Sequence, residues 1–424
     1  MAATLIFVHP TLSVNFTFQT AKQRGFKILT VTTSLEKTHL DMSIINQQSD
    51  AVFTGSDSPH KDLAQIQKII KDRSFKVTAI INGIDASVYY ADVLKKEILG
   101  APIDLDASLV RLNKYAVNQA LQKRGMVTIP SVEITCKQDL ITKKEAIHKL
   151  GLPIIAKPSE NTAAMSAVEL VKTLDGLNLY LDQYLHKTNT YYSDNTIEKV
   201  ILQKYIPTSQ FDEFVIDIVS YEGKHYCAGL LQYRHELRES KYKIFRYCVP
   251  SVVEDLPAIL PVVTYVKECL TALNVRDGFT HNEIFWDRDQ QYYLIESNPR
   301  MAGAGVLEAY QNTYGYYPLP QYLDLLEHKP IVDIPKKRKS YSLTMFLYNL
   351  SKEGSYQIRI EDIPSFQQII TFPRHDKDDP HFYRHYTRAA TVNACVLLDN
   401  PSKEALDRDI RTILQREAEG SLFV

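Results

Sequence analysis

Two glutamates, an asparagine and an arginine fall within residues 281–305 (HNEIFWDRDQQYYLIESNPRMAGAG), whose alternation of apolar and polar residues predicts two short strands and a turn. Charged side chains are seldom buried in a sheet unless they are paired or hold a metal. With Asp287–Gln290 as the turn, Glu283 is expected opposite Leu294, and His281 opposite Glu296. Alternation then places His281, Glu283, Leu294, Glu296, Asn298 and Arg300 on one face, with apolar Ile284, Trp286 and Ile295 on the other. A register slip of one residue would undo this. Two carboxylates and an amide oxygen on one face repel one another unless a hard cation lies between them. Oxygen-only ligands favour Mg²⁺, which keeps waters and shares substrate phosphates. Arg300 then offers a planar fork to the anion that such a metal carries. The plainer alternative is a surface hairpin with a Glu–Arg pair, against which the apolar opposite face speaks.

The elements that must carry this hairpin alternate along the chain. Strands are expected at Leu5–Val8, Lys27–Val31, Ala51–Thr54 and Val77–Ile81, with helical periodicity over Leu12–Arg24 and His60–Lys71. Strand–helix alternation implies a parallel sheet covered on both faces. The turn after the first strand has no G-x-G-x-x-G, so a dinucleotide site there has little support. A helix is expected over Leu109–Arg124, then strands near Val127–Ile134, Leu152–Pro158 and Val200–Pro207, with a helix at Thr142–Leu150 between the first two. A hairpin turning at Glu222–Gly223 and a helix over 256–273 precede the charged hairpin. Helices follow near 305–328, and a charged, proline-rich linker at 330–340 reads as solvated despite its basic run Lys336–Lys339. Strands and a helix at Lys403–Glu417 close the chain.

Composition narrows the partners. The chain has 424 residues, long for one core, and a net charge of −1, which argues against nucleic acid or an anionic membrane as the main partner. No apolar run approaches the length of a membrane helix, and the start (MAATLIFVHP) reads as a buried strand instead of a signal peptide. Five scattered cysteines with no C-x-x-C pair suggest free thiols in a reducing compartment, so a cytoplasmic location is expected.

Glu283 and Glu296-x-Asn298-x-Arg300 followed by glycines resemble the magnesium-binding signature of the ATP-grasp superfamily. Residues 112–130 (LNKYAVNQALQKRGMVTIP) look like its lysine-bearing helix and following strand, and 151–158 (GLPIIAKP) like the segment with its second nucleotide lysine. Residues 201–207 (ILQKYIP) followed by Glu213-Phe214 resemble the adenine hinge and the acidic ribose ligand. Residues 82–94, 232–247, 278–287 and 387–398 are similar to the L-amino-acid ligase branch, which forms dipeptides.

The resemblance implies an α/β chain with an N-terminal Rossmann-like domain (1–108), an ATP-grasp core (109–330, lid about 155–206) and a C-terminal α+β part (331–424). It implies ATP as cosubstrate and a pair of Mg²⁺ ions on Glu283, Glu296 and Asn298, with Mn²⁺ as a substitute. Lys114, Lys157, Ser159 and Thr162 would meet the phosphates, Gln203, Lys204, Tyr205 and Ile206 the adenine, and Glu213 the ribose. Arg300 would stabilise an acyl phosphate and the tetrahedral intermediate. Arg234, His281 and Gly303 are the candidates for substrate contact, although His281 is equally a hydrogen-bonded structural residue and Arg234 equally part of an exposed charged face. The implied partners are a small carboxylate and an amine, and the implied assembly is a homodimer. The phosphate loop 159–167 (SENTAAMSA) lacks the usual glycine, and Gln203 stands where many relatives carry an acid. Two further readings stay open: a nucleotide-binding regulatory protein, and a ligase with a non-amino-acid substrate.

Overall fold

The computed structural model describes residues 2–10, 13–33, 40–160, 167–189, 195–207, 212–238, 242–287, 291–348, 358–370 and 392–423. Strands β1 (Ala2–Val8), β2 (Lys27–Thr32), β3 (Ala51–Thr54) and β4 (Phe75–Asn82) form a parallel sheet in the order β3-β2-β1-β4. Helices α1 (Val14–Gln23), α2 (Met42–Gln48), α3 (Pro59–Asp72) and α4 (Val88–Leu99) connect and cover it. The short α2 has no counterpart in the sequence expectations. It is held by its cap, where Asp41 accepts from Ile44 N, and Ile45 is its one buried residue.

The single helix expected over Leu109–Arg124 is two, α5 (Leu105–Val110) and α6 (Lys114–Lys123). Asn113 divides them, because its side-chain oxygen accepts from Ala116 N and caps α6. Lys114 therefore opens a helix instead of lying within one.

Next comes a smaller antiparallel sheet of β5 (Ser131–Ile134), β6 (Ile154–Pro158), β7 (Glu169–Val171) and β10 (Val200–Lys204), ordered β5-β10-β6-β7. Helices α7 (Asp139–Thr142), α8 (Lys144–Leu150) and α9 (Leu174–Tyr184) belong to this unit, and β8 (Thr188–Asn189) and β9 (Asn195–Thr196) form a short ribbon. Its own apolar cluster includes Ile147, Leu150, Ala156, Leu177, Tyr180 and Leu202.

The largest sheet is antiparallel: β11 (Asp212–Tyr221), β12 (Lys224–Arg238), β13 (Tyr242–Pro250), β14 (Gly278–Asp287), β15 (Gln291–Asn298), β16 (Tyr341–Tyr348), β17 (Phe366–Ile370) and β18 (Val392–Asn400). Its order is β15-β14-β11-β12-β13-β16-β18-β17, so the strands after residue 340 continue the sheet of the strands before it. Residues 330–340 carry no helix or strand, and Arg338 there pairs with Asp255 and lies over the Tyr341 ring at 4.6 Å. The sheet's helices are α10 (Leu260–Ala272), α11 (Val306–Tyr314), α12 (Pro318–Leu326) and α13 (Lys403–Ala418).

Alternation sorts the sheet into two cores. Val215, Val219 and Leu231 join α11, α12 and the N-terminal sheet in one cluster. Phe214, Ile216, Leu230, Ile284, Trp286 and Leu294 join α10 and α6 in the other. Each such buried side chain contributes about 2 kcal/mol of burial free energy.

One turn of this sheet carries a pH-sensitive group. His225 Nδ1 lies 2.8 Å from Ser220 Oγ, and burial, helped by Lys267, pulls its pKa down to about 4. An unfolded histidine titrates near about 6.5, so the unfolded chain takes up the proton first. The stability from a neutral His225 is present above that value and is lost as pH falls toward 4. His225→Leu is expected to flatten the decline of Tm in that window. Parallel Tm–pH curves for variant and parent would refute this.

Candidate active site

The hairpin β14–β15 forms with a different register from the expected one. Glu283 pairs with Glu296 and His281 with Asn298, while Ile284 pairs with Leu294. Ile295 is the extra residue of a β-bulge between these two registers. The bulge moves Leu294 to the opposite face, into the cluster with Ile284 and Trp286, which corrects the expected placement. It also makes the shift at the other end an even number of residues, so Glu283 and Glu296 still share a face and stand directly opposed. Directly opposed Cβ atoms lie about 5 Å apart.

Like charges that close push their pKa values apart. Burial, then Glu296 and Glu213, raises Glu283 to about 7. Burial also opposes the charge of Glu296, but Lys114 and Lys157 outweigh it and hold that carboxyl below the ordinary range. Lys114 Nζ is 3.0 Å from Glu296 Oε1. Lys114 N donates to Ser159 O, and Ser159 N donates to Lys199 O, so the start of α6 is tied to the end of β6. Lys157, on β6, is only 7% exposed. Burial lowers its pKa, the neighbouring Lys114 adds to that, and Glu296, Glu283 and Glu213 oppose it. The small sheet thus sets one buried cation, and α6 a second, against the acidic edge of the large sheet.

Asn298 and Glu213 lie close to this pair, and the other expected residues take the positions that follow. Asn298 is buried beside the glutamates. Glu213 is half-buried at the start of β11, with His235 Nε2 3.5 Å away. Gln203 is buried on β10 with its Nε2 unpartnered, and Ser159 is buried with its Oγ unpartnered, among the described residues. Lys204 is exposed and its N donates to Pro130 O, while Tyr205 is half-buried and Ile206 buried. Gly303 lies just before α11, and its carbonyl accepts from Val306 N at 3.1 Å. Thr162 lies outside the described residues.

The substrate candidates divide. Arg234 is exposed, and its guanidinium donates to Gln232 Oε1 on its own strand. His281 has both ring nitrogens engaged, Nδ1 with Asp217 Oδ1 at 2.7 Å and Nε2 with the Tyr233 hydroxyl at 2.8 Å. Tyr310 also donates to Asp217, at 2.6 Å. In the tautomer whose Nδ1–H donates to Asp217, Nε2 accepts from the Tyr233 hydroxyl. His281 is thus held between Asp217 and Tyr233 as a hydrogen-bonded buried residue.

Arg300 holds two contacts that no local pattern signals. Its Nε donates to Asp85 Oδ2 at 3.1 Å, and its Nη1 donates to Met301 O at 3.1 Å. Burial works against its charge, but Asp85, Tyr233 and Glu283 outweigh burial and hold it charged. Asp85 and Ala86 line one cavity with Lys114, Glu296, Asn298 and Pro299.

The donor set fits a hard cation and a polyphosphate. Among the described residues no three His, Cys, Asp or Glu side chains converge as a complete metal site. Two carboxylates and an amide oxygen suit a cation that completes its shell with water and phosphate. Burial first, and then the facing charges of Glu296 and Glu213, raise the pKa of Glu283, a cost that a cation between the carboxylates would relieve. The unpartnered Gln203 Nε2 and Ser159 Oγ are buried polar groups of the kind a nucleotide satisfies.

Residues 150–308 match the model of the ATP-grasp domain family. Among curated proteins, alanine–anticapsin ligase of Bacillus amyloliquefaciens is 21% identical over 235 residues, 53% of this chain and 48% of that protein. An L-arginine-specific L-amino acid ligase of Bacillus subtilis is 23% identical over 227 residues, 54% of this chain and 52% of that protein. The chain spans about half the length of the curated relatives it matches. Among solved structures, L-amino acid ligase from Bacillus licheniformis superposes with a TM-score of 0.72 at 15% identity, covering 98% of this chain and 97% of that one. N5-carboxyaminoimidazole synthase from Aspergillus clavatus, in complex with ADP, gives 0.69 at 13% identity and 99% of both chains. The fold is the ATP-grasp fold.

Proposed function

We propose that this ATP-grasp chain is an ATP-dependent carboxylate–amine ligase that activates the carboxylate of an amino acid as an acyl phosphate and joins it to an amine. The observation that carries this reading is the opposed pair Glu283 and Glu296 facing Lys114 and Lys157. Glu283, Glu296 and Asn298 would hold Mg²⁺, which when bound neutralises charge on the polyphosphate. Lys114 and Lys157 bind the phosphates, Gln203 and the backbone through Ile206 bind adenine, and Glu213 binds the ribose. The substrate carboxylate attacks the γ-phosphorus, the bridging P–O bond breaks, and ADP leaves. The amine then attacks the acyl carbon, phosphate departs with the C–O electron pair, and the nitrogen loses a proton. The chain's part is mostly positioning and charge stabilisation, with Arg300 meeting charge that builds on the acyl phosphate. An acyl phosphate must be kept from water, and this reading assigns the covering role to the region of about 155–206.

Fold similarity does not choose between acceptors, since TM-scores of 0.72 and 0.69 belong to relatives of different chemistry. The curated sequence relatives favour amino acids. The deciding experiment measures phosphate release from Mg-ATP with each of the twenty amino acids, singly and in pairs, and identifies the product by mass. Release that needs particular amino acids and yields a dipeptide is expected. No release from any mixture, with ATP still bound, would move the assignment to another carboxylate or to a regulatory protein.

A further inference from the structure

We infer that the loop after β4 is the element that positions Arg300, with Asp85 as the positioning residue. This rests on the reading that Arg300 meets the acyl phosphate. The loop leaves the carboxyl edge of the N-terminal sheet beside β1, where strand order changes direction and open α/β sheets place functional loops. It is anchored firmly. Asn82 Nδ2 donates to Ile84 O at 2.7 Å and to Pro299 O at 2.8 Å, and Asn82 Oδ1 accepts from Ser87 Oγ at 2.5 Å. Gly83 packs so tightly against the turn after β1 that a Cβ there would lie 2.1 Å from His9 O.

The residue before Arg300 is thereby clamped through its carbonyl, and Arg300 itself through Nε and Asp85 Oδ2. With Nη1 on Met301 O, both ends of the guanidinium plane are fixed. Nη2 has no hydrogen-bond partner among the described residues and remains the donor free for an anion. The other carboxylate oxygen of Asp85, Oδ1, is buried without a hydrogen-bond partner among the described residues, so the side chain's hydrogen bond is the one to Arg300. The N-terminal domain thus determines where the core's arginine points, although the two residues are 215 positions apart.

The test uses Asp85→Ala and the isosteric Asp85→Asn in the full chain, with Tm to confirm folding. In Asp85→Ala, kcat is expected to fall about 10- to 100-fold, as when an orienting partner is lost, while KM for Mg-ATP stays within about twofold. Added formate should recover part of the lost rate, which a purely structural role would not allow. Independently of turnover, phenylglyoxal should label the Arg300 peptide several-fold faster in Asp85→Ala than in the parent. Unchanged labelling overturns the inference, whatever happens to kcat. A parent that turns over no substrate mixture would overturn the ligase reading instead, and labelling would still judge the role of Asp85.

Discussion

Replacing Glu296 with alanine is expected to lower ATP-dependent phosphate release by about a thousandfold or more. Loss of a single preorganised electrostatic contact to the reacting group costs about 10²- to 10³-fold, and Glu296 has a larger share than one contact. It stands opposite Glu283 and is the partner of Lys114 at 3.0 Å. Without it the proposed cation site retains one carboxylate, and both lysines lose a facing counter-charge. Glu283 also loses the neighbour that, after burial, does most to raise its pKa, so its carboxyl should move back toward the ordinary range. Stability should fall as well, since breaking a buried ion pair strands the remaining charge. The pair is partly open, with side chains 11% and 24% exposed, so the loss should be less than the full buried-pair cost. Glu296→Gln separates the effects, because it keeps the shape and a neutral oxygen. It should be as inactive as the alanine variant and closer to the parent in Tm. Phosphate release in either variant within tenfold of the parent at saturating Mg-ATP would remove Glu296 from the metal site.

The charged hairpin shows how far local sequence can reach. Alternation correctly assigned Glu283, Glu296, Asn298 and His281 to one face, yet the pairing inferred from a tight turn was wrong. Side-chain direction repeats every two residues, so an even shift leaves the face intact. The bulge at Ile295 supplies the odd residue, and nothing in the spacing of hydrophobic residues announces a bulge. The break at Asn113 was legible, since an asparagine before a helical turn is a strong cap, but the periodicity on both sides concealed it. Helix α9 was missed because Gly176 lies in its first turn, although Thr173 caps it by accepting from Gly176 N. Contacts such as Asn82 with Pro299, Asp85 with Arg300 and Asp217 with His281 join distant segments. Their partners are chosen by sheet order and by the packing of one domain on another, which local periodicity does not encode. The resemblance proposed the phosphate and metal residues, and the physical reading of one hairpin proposed the chemistry. The groups that orient those residues became visible only in the fold.

Lys157→Met is expected to damage function without damaging the protein. The lysine is 7% exposed, and burial is the main influence lowering its pKa, so its charge is held at a cost in the absence of a polyanion. The backbone of Lys157 pairs with Ile201 across β6 and β10, a contact that methionine keeps. Methionine also fills a similar volume with an unbranched apolar chain. Replacing a buried charge by an apolar side chain of that size is often neutral or stabilising. Two negative consequences follow for the site. A charge-assisted hydrogen bond to phosphate, worth about 1.5–3 kcal/mol, disappears, which predicts ATP binding weaker by about 10- to 150-fold. Glu296 also loses one of the two cations that lower its pKa, leaving Lys114 to hold it ionised. Turnover at saturating ATP should fall by about a further hundredfold, because the same charge faces the phosphoryl group in flight. Calorimetric titration with a non-hydrolysable ATP analogue, read beside a melting curve, tests both halves at once. A lower Tm with unchanged nucleotide affinity would make Lys157 a structural counter-ion to the glutamates, and the cationic face of the site would then rest on Lys114 alone.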